Sequence, residues 1–295
     1  MTIRHLKIFI TVADCGSMSA AAAKLYISQP TVSQAIAELE KNYGILLFER
    51  LSQKLFITEN GVKLLSYARH IVDSFDSMES DMRNTANNST IHIGCSVSVG
   101  TFLINDILNK AEPKLDKCNV SVTVNNTATI EEKVLNNQID IGIIEGMAKS
   151  IDLKLTPVFT DKLMLICGKN HHMAKRKKLT LSDLEGETLI SREKGSCERN
   201  QFEKLAEEKH ISFNRSWSCT NTEAIKNAVI NNRGIAVMSS MLIKNEIKSG
   251  DIVILDVEEL PINRTIYLIH HKNKYMTPII SEIINICNEY KNDLF

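Results

Sequence analysis

Apolar residues near the N-terminus recur at helical spacing in two short runs. The first run comprises Leu6, Phe9 and Ala13, and the second comprises Ala21, Ala22 and Leu25. Gly16 separates the two runs as a turn, and Ser17 is placed to cap the second helix with its hydroxyl. The small alanine side chains predict that the second helix packs closely against a neighbour.

A third helical pattern begins with a proline. Pro30 suits the first turn of a helix, where its missing N–H is not needed, and Ser28 is the expected N-cap. A stripe at helical spacing predicts the buried face: Val32, Ile36, Leu39 and Tyr43. Four polar side chains lie at the helix start, mostly off this stripe: Gln29, Thr31, Ser33 and Gln34. Such groups suit a helix that enters the major groove of DNA by its N-terminus, although a solvated, capped helix start would present the same residues.

Residues 45–58 contain two strand-like runs around a polar tip. The segment reads ILLFERLSQKLFIT, and its tip is Ser52, Gln53 and Lys54. Two such runs predict a β-hairpin, or wing, beside the third helix. The hairpin favours the DNA-binding interpretation of the third helix over a solvated helix start.

Nearly all of residues 1–60 resembles the DNA-binding domain of LysR-type transcriptional regulators. The resemblance is carried by GSMSAAAAKLYISQPTVSQAIAELEKNYGILLFER and the later FITENG, in which small, apolar and polar positions agree in order. It implies a winged helix-turn-helix that places five residues at the DNA groove: Gln29, Pro30, Thr31, Ser33 and Gln34. It also implies that Arg50 and Lys54 of the wing contact the DNA backbone or the minor groove.

The charge of this domain and the helix after it predict self-association. Residues 1–60 contain six Lys or Arg and five Asp or Glu, a net charge of +1, so one domain is expected to bind DNA weakly. After Thr58, a candidate helix cap, apolar residues follow at steps of four and three: Leu64, Ala68, Ile71, Phe75, Met78 and Met82. We interpret this heptad pattern as a dimer helix, with a core-facing helix as the alternative. The resemblance implies further assembly to a tetramer.

Strands and helices alternate from Ile91 onward. Six apolar runs are strand candidates: IHIGC, VSVTV, IDIGII, LMLIC, GIAVM and IYLIH. Helical stretches such as 102–112 and 224–231 separate them, which predicts mixed α/β layers around mostly parallel sheets. The polar stretch 84–90 is interpreted as a hinge into this region. The resemblance implies a two-lobed effector domain like a periplasmic binding protein, in which the chain crosses between lobes near residues 158–162 and 263–266.

The expected fold is therefore α/β overall. It begins with an all-helical winged helix-turn-helix domain in residues 1–58, followed by a linker or dimerisation helix in residues 59–88. The effector-binding domain takes residues 89–295. Within it, lobe I is expected to comprise residues 89–160 and 266–295, and lobe II residues 161–265.

Two strand-to-helix segments are candidates for the effector site. GCSVSVGTF and ISREKGSCERNQF contribute the candidate residues Ser96, Ser98, Thr101, Ser191, Gly195 and Ser196. Both segments match places where the family commonly binds its coinducer. N–H groups at two helix starts, with hydroxyls beside them, favour a small anionic or zwitterionic effector between the lobes, unless the serines only cap their helices. Thr222 is a third candidate position, and Glu145 is assigned no role.

Cysteines and histidines offer further chemistry. Cys95 and Cys197 lie in the two effector segments, and a thiol at a helix start can have a lowered pKa; redox or electrophile sensing is therefore an alternative, and small buried thiols are the other reading. The seven cysteines are scattered without a CxxC pair, which predicts reduced thiols. The adjacent pairs at 171–172 and 270–271 are not expected to bind metal, because neighbours on a strand point to opposite faces.

Composition and missing motifs exclude several classes of protein. Lys+Arg and Asp+Glu are balanced at 35 each, and no apolar run approaches the roughly 18 residues of a membrane span. Asp14 ends the one run that resembles a signal peptide, so a cytoplasmic protein is expected. A GxSxG elbow and a GxxxxGK[ST] loop are absent, so neither enzyme activity nor a cofactor is predicted. A solute-binding transport protein would not need residues 1–83, so we expect an effector-controlled regulator of promoter DNA.

Overall fold

A computed structural model describes residues 1–51, 54–82, 90–115 and 118–290. The chain forms two compact units. The first unit comprises Met1–Ser89, Leu135–Gln138 and His271–Tyr275, and the second comprises Thr90–Val134, Ile139–His270 and Met276–Phe295. Among the described residues, none of the helices combines the length and the apolar character that a membrane crossing requires.

The first unit is built from helices and one β-hairpin. Its elements are α1 (Ile3–Cys15), α2 (Met18–Leu25), α3 (Gln29–Tyr43), β1 (Phe48–Leu51), β2 (Lys54–Ile57) and α4 (Glu59–Met82). Gly16 ends α1 in the left-handed region, where glycine is favoured. The hydroxyls of Ser17 and Ser28 accept N–H bonds in the first turns of α2 and α3. The predicted helix boundaries and caps are therefore confirmed.

The core of this unit lies between α1, α2 and α3. Its fully buried side chains include Phe9, Val12, Ala21, Val32 and Leu39. The predicted stripe of α3 is correct at Val32, Ile36 and Leu39 but wrong at Tyr43, which is 43% exposed. Tyr43 is the last residue of α3 before the left-handed Gly44, and its hydroxyl contacts the sulfur of Met1 instead of the core.

The hairpin follows α3 as predicted, with strands shorter than the apolar runs. β1 and β2 pair antiparallel from Phe48 opposite Ile57 to Leu51 opposite Lys54. Lys54 is therefore the first residue of β2 and not part of the tip, while the other predicted tip residues, 52 and 53, lie outside the described residues. Thr58 caps α4, since its hydroxyl accepts the N–H of Gly61.

The residues of the predicted dimer pattern of α4 differ in burial. Leu64 packs against the core of the same unit and Ala68 is fully buried in it, so these two positions serve the intramolecular core. Ile71 and Met78 are exposed, at 45% and 49%. Phe75 is half-buried. The side chain of Met82, at the last position of the helix, lies outside the described part of the chain.

The second unit alternates strands and helices. Its elements are β3 (Thr90–Ser96), α5 (Val97–Phe102), α6 (Ile104–Ala111), β4 (Asn119–Asn125), α7 (Thr127–Leu135), β5 (Ile141–Glu145), β6 (Leu153–Gly168), β7 (Thr188–Arg192), α8 (Cys197–Glu208), β8 (Asn214–Cys219), α9 (Thr222–Ile230), β9 (Ala236–Ser239), α10 (Lys244–Ser249), β10 (Ile252–Ile254), β11 (Ile262–His271) and α11 (Pro278–Glu289). All six predicted strands are present. The predicted helix over 102–112 is broken at Leu103, and most of the predicted hinge, 84–89, lies outside the described residues.

The sheets are mixed, so the prediction of mostly parallel sheets is wrong. Among the described residues, one seven-stranded sheet has the order β10-β6-β11-β5-β3-β4, with β9 also on β6. β3 pairs parallel with β4 and β5, and β7 pairs parallel with β8. The long strands β6 and β11 make antiparallel pairs with β9, β10 and β5. Apolar pattern alone marks a strand but carries no direction.

The same two long strands run between two hydrophobic cores. Val158 of β6 packs in the core formed around β3 and β5, while Leu163 packs with the residues around β7 and β9. In β11, Ile262 packs against the second core and Ile266 lies in the first. We call the part around the first core lobe I and the part around the second core lobe II. Both strands thus carry their middle residues between the lobes.

Candidate functional site

The start of α3 is a polar, exposed surface on a buried scaffold. Gln29, Pro30, Thr31 and Gln34 are exposed and Ser33 is half-buried. The amide of Gln29 donates to the hydroxyl of Ser33 at 2.7 Å, and the amide of Gln34 donates to Glu38 at 3.0 Å. The carbonyl oxygen and one N–H of each glutamine therefore remain available. These are the acceptor and the donor that pair with the major-groove edge of adenine.

The wing places a cation beside this helix start. Arg50 of β1 is exposed and shares a concave surface with Gln29, Ser17 and Ser19. Ser17 and Ser19 belong to the start of α2, so hydroxyls, an amide and a guanidinium line one surface. This combination suits phosphate and base-edge contacts. The side chain of Lys54 lies outside the described part of the wing.

A second exposed surface runs along α4. Tyr67, Ile71 and Met78 are each more than 40% exposed and follow one another at helical spacing. We call these three side chains the α4 stripe. Lys7 pairs with Asp76 on the flank of α4 that faces α1, so the helix is held to its own unit while the stripe remains uncovered within it.

At the centre of the second unit, Arg264 of β11 lies among three carboxylates. Its side chain is 0% exposed, and its Nε and Nη2 donate to Asp161 Oδ2 at 2.8 and 2.7 Å. Nη2 lies 3.7 Å from Glu145 and 3.8 Å from Glu198. Burial acts to lower the pKa of Arg264, but Glu145, Glu198 and Asp161 outweigh it and raise the pKa. The guanidinium therefore stays charged.

Glu198 stands in the first turn of α8 and is equally enclosed. One carboxylate oxygen accepts the Ser239 N–H at 3.0 Å, and the other accepts from Arg192 at 3.2 Å. Arg192 also holds Glu193 through two further nitrogens. Burial raises the pKa of Glu198, although Arg264 and Arg192 act against that rise. We call Glu145, Asp161, Arg192, Glu193, Glu198 and Arg264 the cleft cluster.

The predicted effector residues divide into those at this cluster and those away from it. The hydroxyl of Ser98 accepts from Arg264 at 3.3 Å, and Ser96, two residues earlier, is 1% exposed. Ser196 is buried at the N-cap of α8 but makes no side-chain cap bond. Thr101 donates to the Val97 carbonyl on the exposed side of α5, and Ser191 donates to the Trp217 carbonyl. These last two side chains are already used within the fold.

The lobes touch beside the cleft cluster. The carbonyl of Gly195, at φ +91°, accepts the Ala128 N–H at 3.3 Å. A Cβ on Gly146 would lie only 2.7 Å from the sulfur of Cys197. Thr222 lies in lobe II as the first residue of α9, where Asn221 provides the cap. The two predicted segments are linked through Arg264, which donates to Ser98 of the first segment and lies 3.8 Å from Glu198 of the second.

Sequence reasoning missed the charged residues that dominate this site. Arg264, Asp161 and Glu198 were not candidates, and Glu145 had no role. The local sequence offers no signal for them, because Asp161 and Arg264 each lie among other polar residues, in TDK (160–162) and NRT (263–265). Their pairing joins positions 103 residues apart, which no local pattern reveals.

Both candidate redox cysteines are buried. Burial, and then the Glu145 carboxylate, raise the pKa of the Cys95 thiol to about 12. Burial also raises the pKa of the Cys197 thiol to about 12, with Arg264 opposing the rise and Glu145 and Glu198 adding to it. Since the thiolate is the reactive form, this environment disfavours redox or electrophile sensing at either position.

We expect Cys95 and Cys197 to resist alkylation in the folded protein. Iodoacetamide at about pH 7.5 should modify the partly exposed Cys15, Cys118 and Cys219 first, as measured by peptide mass spectrometry. Denatured protein is the control, in which all five of these thiols should react. Alkylation of Cys197 as fast as Cys219 in the native protein would restore the sensing hypothesis.

The His171–His172 pair does not lie on a strand, so the reason given for excluding metal chelation there is wrong. His171 precedes a short 3-10 helix, and the Nε2 atoms of His171 and His172 lie 3.9 and 2.8 Å from the carboxylate of Glu187. The Nδ1 of His171 accepts the Met173 N–H, which leaves the ring proton of the neutral form on Nε2. The hydrogen bond between His172 and Glu187, with His171 3.9 Å from the same carboxylate, therefore accounts for this cluster.

Comparisons with known proteins match nearly the whole chain. Residues 3–62 match the family described as bacterial regulatory helix-turn-helix protein, lysR family, and residues 84–291 match the LysR substrate binding domain. A probable RuBisCO transcriptional regulator of Phaeodactylum tricornutum is 31% identical over 304 residues, covering 99% of this chain and 98% of that protein. The regulatory domain of Synechocystis PCC6803 CcmR, solved in complex with 2-PG, has a TM-score of 0.65 at 25% identity and covers 70% of this chain and 99% of that one. ArgP from Mycobacterium tuberculosis shares the fold with a TM-score of 0.79 at 16% identity, over 99% of this chain and 97% of that one.

Proposed function

This chain belongs to the LysR family of DNA-binding transcriptional regulators, and from that premise we propose that it is a homo-oligomeric regulator of promoter DNA controlled by a small effector. Residues 1–58 bind DNA, residues 59–88 join two chains, and residues 89–295 bind the effector. The relatives are named as transcriptional regulators, which implies a regulatory and not an enzymatic role.

The DNA-binding assignment is supported by the start of α3. Gln29, Thr31, Ser33 and Gln34 present amide and hydroxyl groups, and the core of the unit fixes the helix behind them. Arg50 adds a phosphate contact from the wing. Because residues 1–60 carry a net charge of only +1, two or more domains must act on one operator to give high affinity.

Alanine substitutions should separate base reading from backbone contact. Gln34→Ala should weaken operator binding by about 1–3 kcal/mol and relax the preference at the base pair that it contacts. Arg50→Ala should weaken binding to all sequences similarly. It should also reduce the slope of log affinity against log salt concentration by about one. Fluorescence anisotropy on single-base operator variants measures both effects. Asn42→Ala, exposed at the other end of α3, is the matched control; equal losses for Asn42 and Gln34 would contradict the assignment.

The effector assignment is carried by one observation: buried polar groups from both lobes meet between β6 and β11. Ser98 and Glu145 come from lobe I, Glu198 comes from lobe II, and Arg264 contacts all three. A ligand bound there contacts both lobes at once, so it favours one arrangement of the lobes over others. A coupling of roughly 1–3 kcal/mol to the DNA-binding domains is sufficient for regulation.

The function is tested with the full-length protein and selected DNA. A duplex is first selected from a random pool, and its affinity is then measured with and without a small-molecule extract of the producing cells. We expect the extract to change the affinity by about fivefold or more, as the coupling requires, and the change to disappear in Glu145→Gln. A protein that selects no sequence is not a sequence-specific regulator, and one that ignores the extract is not controlled by an effector.

A further inference from the structure

The cleft cluster carries more negative than positive charge. Its carboxylates are Glu145, Asp161, Glu193 and Glu198, and its guanidiniums are Arg192 and Arg264. The neighbouring Arg199 does not change the balance, since it pairs with Glu203. The cluster is negative by two charges, and it remains negative by one if Glu198 holds a proton. An anion entering this site would meet net repulsion at low dielectric.

The helix starts also offer less to an anion than their sequence suggests. α5 has only six residues, and its dipole is correspondingly short. α8 is longer, but its first turn contains the carboxylate of Glu198, 3% exposed. The chain's own carboxylate thus already stands at the helix end that attracts anions. The two features that favoured an anionic effector in the sequence do not favour one in the fold.

Three buried polar atoms at this place lack a hydrogen-bond partner among the described residues. They are Ser96 Oγ, Glu145 Oε1 and Arg264 Nη1. The three residues are 1%, 5% and 2% exposed, and a buried polar group without a partner costs about 1–3 kcal/mol. Glu145 Oε1 requires a donor, Arg264 Nη1 requires an acceptor, and the hydroxyl of Ser96 can serve either. A ligand that satisfies Glu145 and Arg264, which lie 3.7 Å apart in the cleft cluster, needs an N–H group and an acceptor atom.

We propose that the cleft binds a small organic cation or zwitterion, with an ammonium or amidinium group at Glu145 and an acceptor atom of the same molecule at Arg264. The inference rests on the proposed function, since it concerns the class of effector that the same cleft takes. The negative charge of the cluster selects the cationic group, and Arg264 orients the ligand through its remaining nitrogen. Of the two effector classes expected from the sequence, the zwitterion is retained and the simple anion is rejected.

A matched set of three probes tests the charge preference without knowledge of the effector. Acetamidinium, acetamide and acetate have nearly the same shape and differ in charge. Each is titrated against the full-length protein at constant ionic strength, and the shift of the unfolding temperature is measured. We expect a saturable increase with acetamidinium, a smaller one with acetamide and none with acetate.

Two substitutions locate the binding. Glu145→Gln keeps the shape of the side chain and removes the charge, so the apparent affinity for acetamidinium should fall about tenfold or more. Glu289→Gln is the control, because that carboxylate is 59% exposed and pairs with Lys110 away from the cluster. Unchanged acetamidinium binding in Glu145→Gln would overturn the proposal.

The outcomes separate this inference from the proposed function. Stronger binding of acetate than of acetamidinium, with DNA binding still responsive to cell extract, would overturn the cationic ligand and leave the regulator intact. No saturable response to any probe would overturn the ligand site proposed here. If DNA binding by the wild-type protein does not respond to cell extract, the proposed effector control itself is overturned.

Discussion

Replacing Arg264 by methionine should destabilise the second unit by about 3–5 kcal/mol, because it leaves buried carboxylates without their cation. Asp161 receives both short bonds of Arg264, and neither side chain has exposed surface. Glu145 and Glu198 lose the same guanidinium. Urea denaturation of the full-length variant, monitored with a probe located in this unit, measures the loss of stability.

The destabilisation should depend on pH. Burial raises the pKa of Glu198, and removing Arg264, which acts to lower it, raises that pKa further. The folded protein then binds more protons than the unfolded chain between the ordinary Glu pKa and the raised one. Stability must therefore increase as the pH falls through the raised pKa, and the increase ends once the unfolded chain is protonated too. The variant should recover part of its lost stability on mild acidification.

An exposed pair provides the control for this prediction. Lys169 pairs with Asp251, and their side chains are 55% and 39% exposed. Lys169→Met should leave the stability close to that of the wild type, since solvent screens such pairs. If Arg264→Met were as stable as Lys169→Met at neutral pH, the cleft cluster would not hold uncompensated charge, and the argument for a cationic effector would fail with it.

The sequence predicted the start of α3 and most of its buried face because those signals are local. Ser28, Pro30 and the apolar positions after them specify where α3 begins and which face is buried, all within a few turns. The cleft cluster could not be predicted in this way. Serines at two strand-to-helix junctions indicated the place, but the charge there depends on Asp161 and Arg264, which come together only because β6 and β11 are neighbours in the sheet.

The dimer pattern shows a different limit of sequence reasoning. Leu64, Ala68 and Ile71 lie within a narrow sector of α4, so a heptad pattern alone cannot say which of them face the same chain and which face a partner. Burial separates them: Ala68 is 0% exposed within its own unit and Ile71 is 45% exposed. Adding the exposed aromatic Tyr67 moves the expected interface by a fraction of a turn, to the α4 stripe.

This revised interface leads to the second large effect, which is that Ile71→Glu should abolish self-association and weaken operator binding by about 100-fold or more. A charge in the centre of the α4 stripe must be desolvated when two such helices pack, and a second copy places the same charge opposite it. Because one domain carries a net charge of only +1, DNA affinity depends on joining two of them. Sedimentation gives the oligomeric state, and anisotropy gives the affinity.

Val62→Glu is the matched control for this variant. Val62 is 54% exposed on the same helix and lies about two and a half turns from Ile71, on the opposite face. The same substitution there should leave both the assembly and the affinity near those of the wild type. If Ile71→Glu stayed oligomeric and bound the operator as tightly as Val62→Glu, the α4 stripe would not be the interface. The high affinity of a nearly neutral domain would then require another surface that joins the chains.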